Sequence, residues 1–166
     1  TAAVVAMGMF YKGDHVEDAE FRRLSAIRLV AKLPTIVAAW HRIRRGDDPI
    51  QPRADLGHAA NFLYMLEGVV PAETPAHIFD VAMILHAEHS MNASTFAARV
   101  TGSTLADPYA VVASAVGALA GPLHGGANEE VLAMLREMPD SSSAGVKAWA
   151  EGRLARKEKI MGFGHR

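Results

Sequence analysis

The decamer Gly121-Pro122-Leu123-His124-Gly125-Gly126-Ala127-Asn128-Glu129-Glu130 places a histidine on a turn bounded by proline and glycine. The run from Glu129 to Met138 reads as a helix, so His124 stands just ahead of unpaired backbone N–H groups and the positive end of a helix dipole. That setting disfavours imidazolium and suits a neutral imidazole that donates a hydrogen bond to a developing oxyanion. The same residues are also compatible with a loop histidine that caps or packs.

Two further stretches carry histidine. In His86-Ala87-Glu88-His89 the imidazoles are three residues apart, a spacing that puts both on one face of a helix and lets them converge on one ligand. The order is not His-Glu-x-x-His, the chain has no cysteine and no third ligand can be named, so no metal is assigned. An anionic small molecule, or a structural hydrogen bond by one of the pair, fits better. The third stretch is Gly162-Phe163-Gly164-His165-Arg166, whose glycines allow main chain to approach a base or phosphate closely. No strand precedes it and a third glycine is missing, which excludes a dinucleotide-binding fingerprint. Without a Gly-x-Ser-x-Gly elbow, His124-Gly125-Gly126 is not an esterase oxyanion turn. His15, His41 and His58 are isolated and are read as structural.

The elements that must hold these residues are helical. Thr1 to Tyr11 is apolar and alanine-rich, and Asp18 to Arg45 repeats apolar residues at three- and four-residue spacing, with Pro34 expected to kink or break it. Leu56 to Leu66 is a short helix stopped by Gly68. Thr74-Pro75 predicts a cap and first position for a helix to about His89, Ser90 to Ser94 breaks it, and Thr95 to Leu105 resumes. Asp107-Pro108 starts a helix to Ala120 that is apolar nearly all round and is therefore expected to be buried, in the core or at a subunit interface. After Glu129 to Met138, residues 139–143 link to a charged helix over Ala144 to Lys159, and Ile160 to His165 forms a loop. No alternating pattern demands a sheet, so the expected fold class is all-α, with roughly eight helices.

Composition narrows the partners. A net charge of −1 over 166 residues offers no nucleic-acid footprint, and the basic runs Arg42 to Arg45 and Arg153 to Lys159 fall near helix ends, where cations suit the dipole. No apolar run approaches the roughly 18 residues of a membrane span, and no basic-then-apolar leader opens the chain. Absence of cysteine excludes disulfides and thiolate chemistry. The expectation is a soluble, cytoplasmic protein without membrane or nucleic-acid partners.

Taken in order, the motifs His86 to Asn92, Asp107-Pro108-Tyr109, Gly121 to Glu130 and Lys159 to Arg166 resemble the citrate synthase family, which includes the 2-methylcitrate synthases. Residues 1–70 agree with it only as helical filler. The resemblance implies the multi-helical citrate synthase fold, with residues 1–124 in a large domain and 125–166 opening a smaller one that closes over substrates. It implies condensation of acetyl-CoA with oxaloacetate to citrate and CoA, a homodimer, and no cofactor beyond the CoA thioester that is itself a substrate. His124 matches the histidine that hydrogen-bonds the thioester oxygen, and His165 the one that polarises and protonates the oxaloacetate carbonyl. His89 matches an oxaloacetate ligand. Ile160, Met161, Gly162, Phe163 and Gly164 match the loop whose backbone recognises the CoA adenine. Arg166 is carried as a substrate contact, although its family partners have no counterpart in the 166 residues.

The family's aspartate base lies downstream of the Gly-x-Gly-His loop, and neither Asp107 nor Asp140 fits its motif. The chain is therefore expected to be a central part of a longer synthase, inactive by itself. Propionyl-CoA as substrate is the alternative within the class. A non-catalytic helical dimerisation module, or a metal-binding protein built on His86 and His89, are the alternatives outside it.

Overall fold

Local chemistry sets the helix ends in a computed structural model that describes residues 1–11, 16–88 and 90–163. The described residues form α1 (Ala2–Met7), α2 (Ala19–Arg45), α3 (His58–Glu67), α4 (Glu73–Leu85), α5 (Ala93–Gly102), α6 (Pro108–Leu119), α7 (Ala127–Arg136) and α8 (Ser143–Ala155), with no strand among them. The fold is all-α, as expected. The chain divides into two compact units, Thr1–Val116 and Gly117–Arg166.

In the first unit α2 is the spine. The Asp18 carboxylate caps it by accepting from Glu20 N–H at 2.9 Å, and Gly46 ends it in the left-handed region. Pro34 does not break it: the helix continues for 27 residues, with Leu29 and Ala38 buried on either side of the proline. Burial of both halves outweighs the one backbone hydrogen bond that proline removes. Helix α1 packs on α2, α2 on α3 and α3 on α4, the last pair through stacked Phe62 and Phe79 rings 5.2 Å apart.

The core gathers Val4 and Met7 of α1, Leu29 of α2, and Tyr109 and Ala113 of α6. Tyr109 is fully buried and stacks on Tyr11 at 5.9 Å, while Arg28 lies 4.5 Å from the centre of the Tyr11 ring. Helix α5 is stitched to α6 by Ser94 Oγ donating to the Ala115 carbonyl and Thr101 Oγ1 to Ser114 Oγ, each at 2.9 Å.

Several expectations shift. Helix α4 starts at Glu73, so Pro75 falls within the first turn, where its missing N–H costs nothing. It stops at Leu85, where the Ala82 carbonyl accepts from His86 N–H at 3.2 Å and the His86 ring turns back, its Nδ1 2.6 Å from the same oxygen. Residues 86–88 are outside the helix. His89 itself lies outside the described residues. Helix α5 starts earlier, at Ala93, because Asn92 Oδ1 accepts from Thr95 N–H at 2.9 Å. Helix α8 ends at Ala155 rather than Lys159, since Lys157 adopts φ +58 and breaks the run.

Within this chain α6 buries only Tyr109 and Ala113, and Leu119 is exposed, so the core covers part of the helix and not all of it. Val111 and Val112 instead line a cavity of about 480 Å³ with Val30 and Leu33 of α2.

Asp107 is the anchor of α6, accepting from Tyr109 N–H at 2.8 Å and Ala110 N–H at 3.4 Å. Asp107→Ala should cost about 1 kcal/mol, as loss of an N-cap does. For a domain of this size that corresponds to a fall of roughly 2–4 °C in Tm. Thermal unfolding followed by circular dichroism checks it, and an unchanged Tm would show the cap to be energetically idle.

Candidate active site and family

The second unit holds the candidate site residues that the structure describes. His124 lies on the turn between α6 and α7 and is half-buried. The turn closes on the Gly121 carbonyl, which accepts from His124 N–H at 3.0 Å and Gly125 N–H at 3.1 Å. Helix α7 starts at Ala127, two residues earlier than the sequence suggests, so the histidine stands directly ahead of the helix. Glu129 and Glu130 occupy its first turn, where carboxylates suit the dipole.

Gly125 decides how tightly this turn folds. A Cβ at that position would overlap the Leu119 carbonyl oxygen and approach its carbon to 3.1 Å. A Cβ at Gly126 would come within 2.9 Å of the Pro122 carbonyl oxygen. The two residues after His124 thus hold the turn through backbone contact that a side chain would forbid. Leu123, on the other side, is 79% exposed.

The second described group is the loop Ile160, Met161, Gly162 and Phe163. Phe163 N–H donates to the Ile160 carbonyl at 3.4 Å, Gly162 has φ +90, and Phe163 is 83% exposed. Gly164, His165 and Arg166 of the same motif lie outside the described residues. Among the described residues no group of three or more His, Asp or Glu is placed to hold a metal ion, and no helix is long and apolar enough to cross a membrane.

The chain enters this loop through an ion-pair clamp, where the sequence alone suggests a solvated basic face over residues 153–159. The Glu158 carboxylate accepts from Arg156 Nε at 2.7 Å and Nη2 at 3.1 Å, and from Arg153 Nε at 3.1 Å. Those hydrogen bonds, Arg156 first and Arg153 second, pull the Glu158 carboxyl down from 4.5 to about 2. Because the folded value is depressed, the clamp's contribution is complete above about 4.5 and is lost as the pH falls through about 2. An NMR titration of the Glu158 carboxyl should find its midpoint near 2, whereas a midpoint near 4.5 would show that the clamp does not persist in solution. The only signal in sequence is one acid set among bases, a pattern common on exposed helix ends.

A profile of the citrate synthase C-terminal domain matches residues 1–166. The chain belongs to the citrate synthase family. It is 58% identical over 164 residues to citrate synthase of Synechocystis sp., covering 99% of this chain and 41% of that protein. To 2-methylcitrate synthase of Mycobacterium tuberculosis it is 53% identical over 150 residues, covering 90% and 38%.

Among solved citrate synthases, that of Pyrobaculum aerophilum superposes with a TM-score of 0.83 at 43% identity, covering 99% of this chain and 40% of that one. A ternary complex of the Thermoplasma acidophilum citrate synthase with carboxymethyl coenzyme A and oxaloacetate also gives a TM-score of 0.83, at 31% identity, covering 99% and 42%. The chain thus spans about two-fifths of the length of these citrate synthase relatives. Family likeness extends through residues 1–70 as well, correcting the expectation that this part matches only as helical filler. Helix packing there accepts many apolar residues of similar volume, so no motif marks it.

Proposed function

We propose that the chain is part of a cytoplasmic, homodimeric enzyme that condenses acetyl-CoA with oxaloacetate to give citrate and CoA. The observation that supports this most directly is the His124 turn, closed by backbone contact at Gly125 and set at the start of α7, in a chain whose whole length matches the family. In this reading residues 1–124 belong to the large domain and 125–166 to the smaller one.

The reaction removes a proton from the methyl group of the thioester, leaving an enol or enolate. Its carbon forms a C–C bond to the ketone carbon of oxaloacetate, and the ketone oxygen takes up a proton. Water then cleaves the thioester, releasing CoA as the thiol. His124 donates a hydrogen bond to the thioester oxygen as charge builds there, and His165 polarises and protonates the ketone oxygen. His89 and Arg166 bind oxaloacetate, and the backbone of residues 160–164 takes the adenine of CoA. No metal or redox cofactor takes part, since the family chemistry needs only the thioester. The base is an aspartate with no counterpart among the 166 residues, so this polypeptide alone does not turn over.

A second reading replaces acetyl-CoA by propionyl-CoA, favoured by the 53% identity to a 2-methylcitrate synthase. Steady-state assays of the full-length protein with oxaloacetate and either acyl-CoA decide between them through kcat/KM. Activity with neither thioester, or turnover by the isolated 166-residue polypeptide, would refute this account.

A further inference from the structure

The loop at 160–163 needs a support if its backbone is to present a fixed surface to a ligand, and the structure offers one. An ideal Cβ at Gly162 would lie 3.2 Å from Val131 Cγ2, closer than ordinary van der Waals contact. The Gly162 backbone therefore lies beside the Val131 side chain, with too little room between them for even a relaxed methyl group. Gly162 also has φ +90, where a side chain is strained whatever the space around it.

Val131 is half-buried on α7, one turn past Ala127 and on the same side as the buried Met134. Its branched side chain holds essentially one rotamer in a helix, which makes it a stiff seat rather than a yielding one. The base of the loop is held separately by the Arg153–Glu158–Arg156 clamp.

We propose that Val131 is a positioning residue for the acyl-CoA substrate: it sets the height of the 160–163 backbone over α7, and so the place at which the CoA adenine is received. This inference rests on the function proposed above. The seat lies about 6 Å along the axis from the first residue of α7, the helix that His124 immediately precedes. One rigid element thereby references both ends of the thioester substrate, the reacting carbonyl at His124 and the adenine at the loop. No sequence pattern marks Val131, which is one apolar residue among several on an amphipathic helix.

The test is kinetic, on the full-length enzyme. In Val131→Ala the loop loses its seat, and KM for acyl-CoA should rise roughly tenfold while kcat and KM for oxaloacetate stay within twofold. Val131→Thr keeps the branched shape and should retain the unmodified KM. Gly162→Ala should raise KM for acyl-CoA on its own. In the Val131→Ala, Gly162→Ala double variant the added Cβ meets empty space, so the combined loss should be smaller than the product of the two. Thermal melts of all four variants show whether each is folded under assay conditions.

An unchanged acyl-CoA KM in folded Val131→Ala overturns the proposal, as does a Val131→Thr variant as impaired as the alanine. Singles that multiply in the double variant overturn it too. Absence of turnover by the unmodified enzyme with any acyl-CoA would remove the functional reading itself, and this inference with it.

Discussion

Replacing His124 by Ala in the full-length enzyme should lower kcat by about two to three orders of magnitude, the loss of about 3–4 kcal/mol that follows removal of a preorganised oxyanion donor. The thioester oxygen gains charge only as the methyl proton leaves, so the interaction is stronger in the transition state than in the ground state. KM for both substrates should accordingly change little while kcat and kcat/KM fall together. Under the proposed function the turn suits the residue for this task, since Gly121, Gly125 and Gly126 fold it through close backbone contacts. Near-unmodified turnover by His124→Ala would sink both the residue's role and the proposed reaction.

Gly125→Ala carries the second large effect, although glycine and alanine differ by a single methyl group. The new Cβ would overlap a backbone carbonyl at Leu119, which cannot rotate away as a side chain does. The turn must open, and the structural cost should be about 1–3 kcal/mol, as for overpacking elsewhere. Its catalytic cost should be larger, because moving His124 by about 1 Å forfeits on the order of a hundredfold in rate. Gly126→Ala serves as an internal comparison: its Cβ would meet the Pro122 oxygen at 2.9 Å, a milder conflict that should give a smaller loss of both stability and rate. Equal kcat for Gly125→Ala and the unmodified enzyme, measured where both are folded, would show that the packing of this turn does not hold His124.

Features that act through neighbours in the chain are legible in the residues themselves. Asp18 and Asp107 announce helix starts and do cap them, while Gly46 and Gly68 announce stops and do take positive φ. The His124 turn is equally legible, because proline and paired glycines next to an acidic helix start leave few alternatives. The end of α4 is not, since Ala87 and Glu88 are good helix formers and the folding of the His86 ring back on Ala82 leaves no mark in the sequence. Val131 and Gly162 illustrate the deeper reason for such misses: their contact joins residues remote in the chain and leaves no periodic or capping signal in either neighbourhood. His89, Gly164, His165 and Arg166 lie outside the described residues, and their roles rest on the family resemblance.

The placement of α1 has a consequence for how the protein is made. Val4 is 1% exposed, and it shares a core cluster with Tyr109 and Ala113. A helix of six residues has no stability of its own in water. During synthesis, roughly a hundred residues must be added after Val4 before Tyr109 exists, an interval of about 5–20 s at ordinary elongation rates. Throughout it α1 has Leu29 of α2 to pack on but lacks the Tyr109 and Ala113 part of its cluster. Chaperones that shield short apolar segments on the ribosome therefore have a target in α1 well before the residues of the His124 turn have been translated.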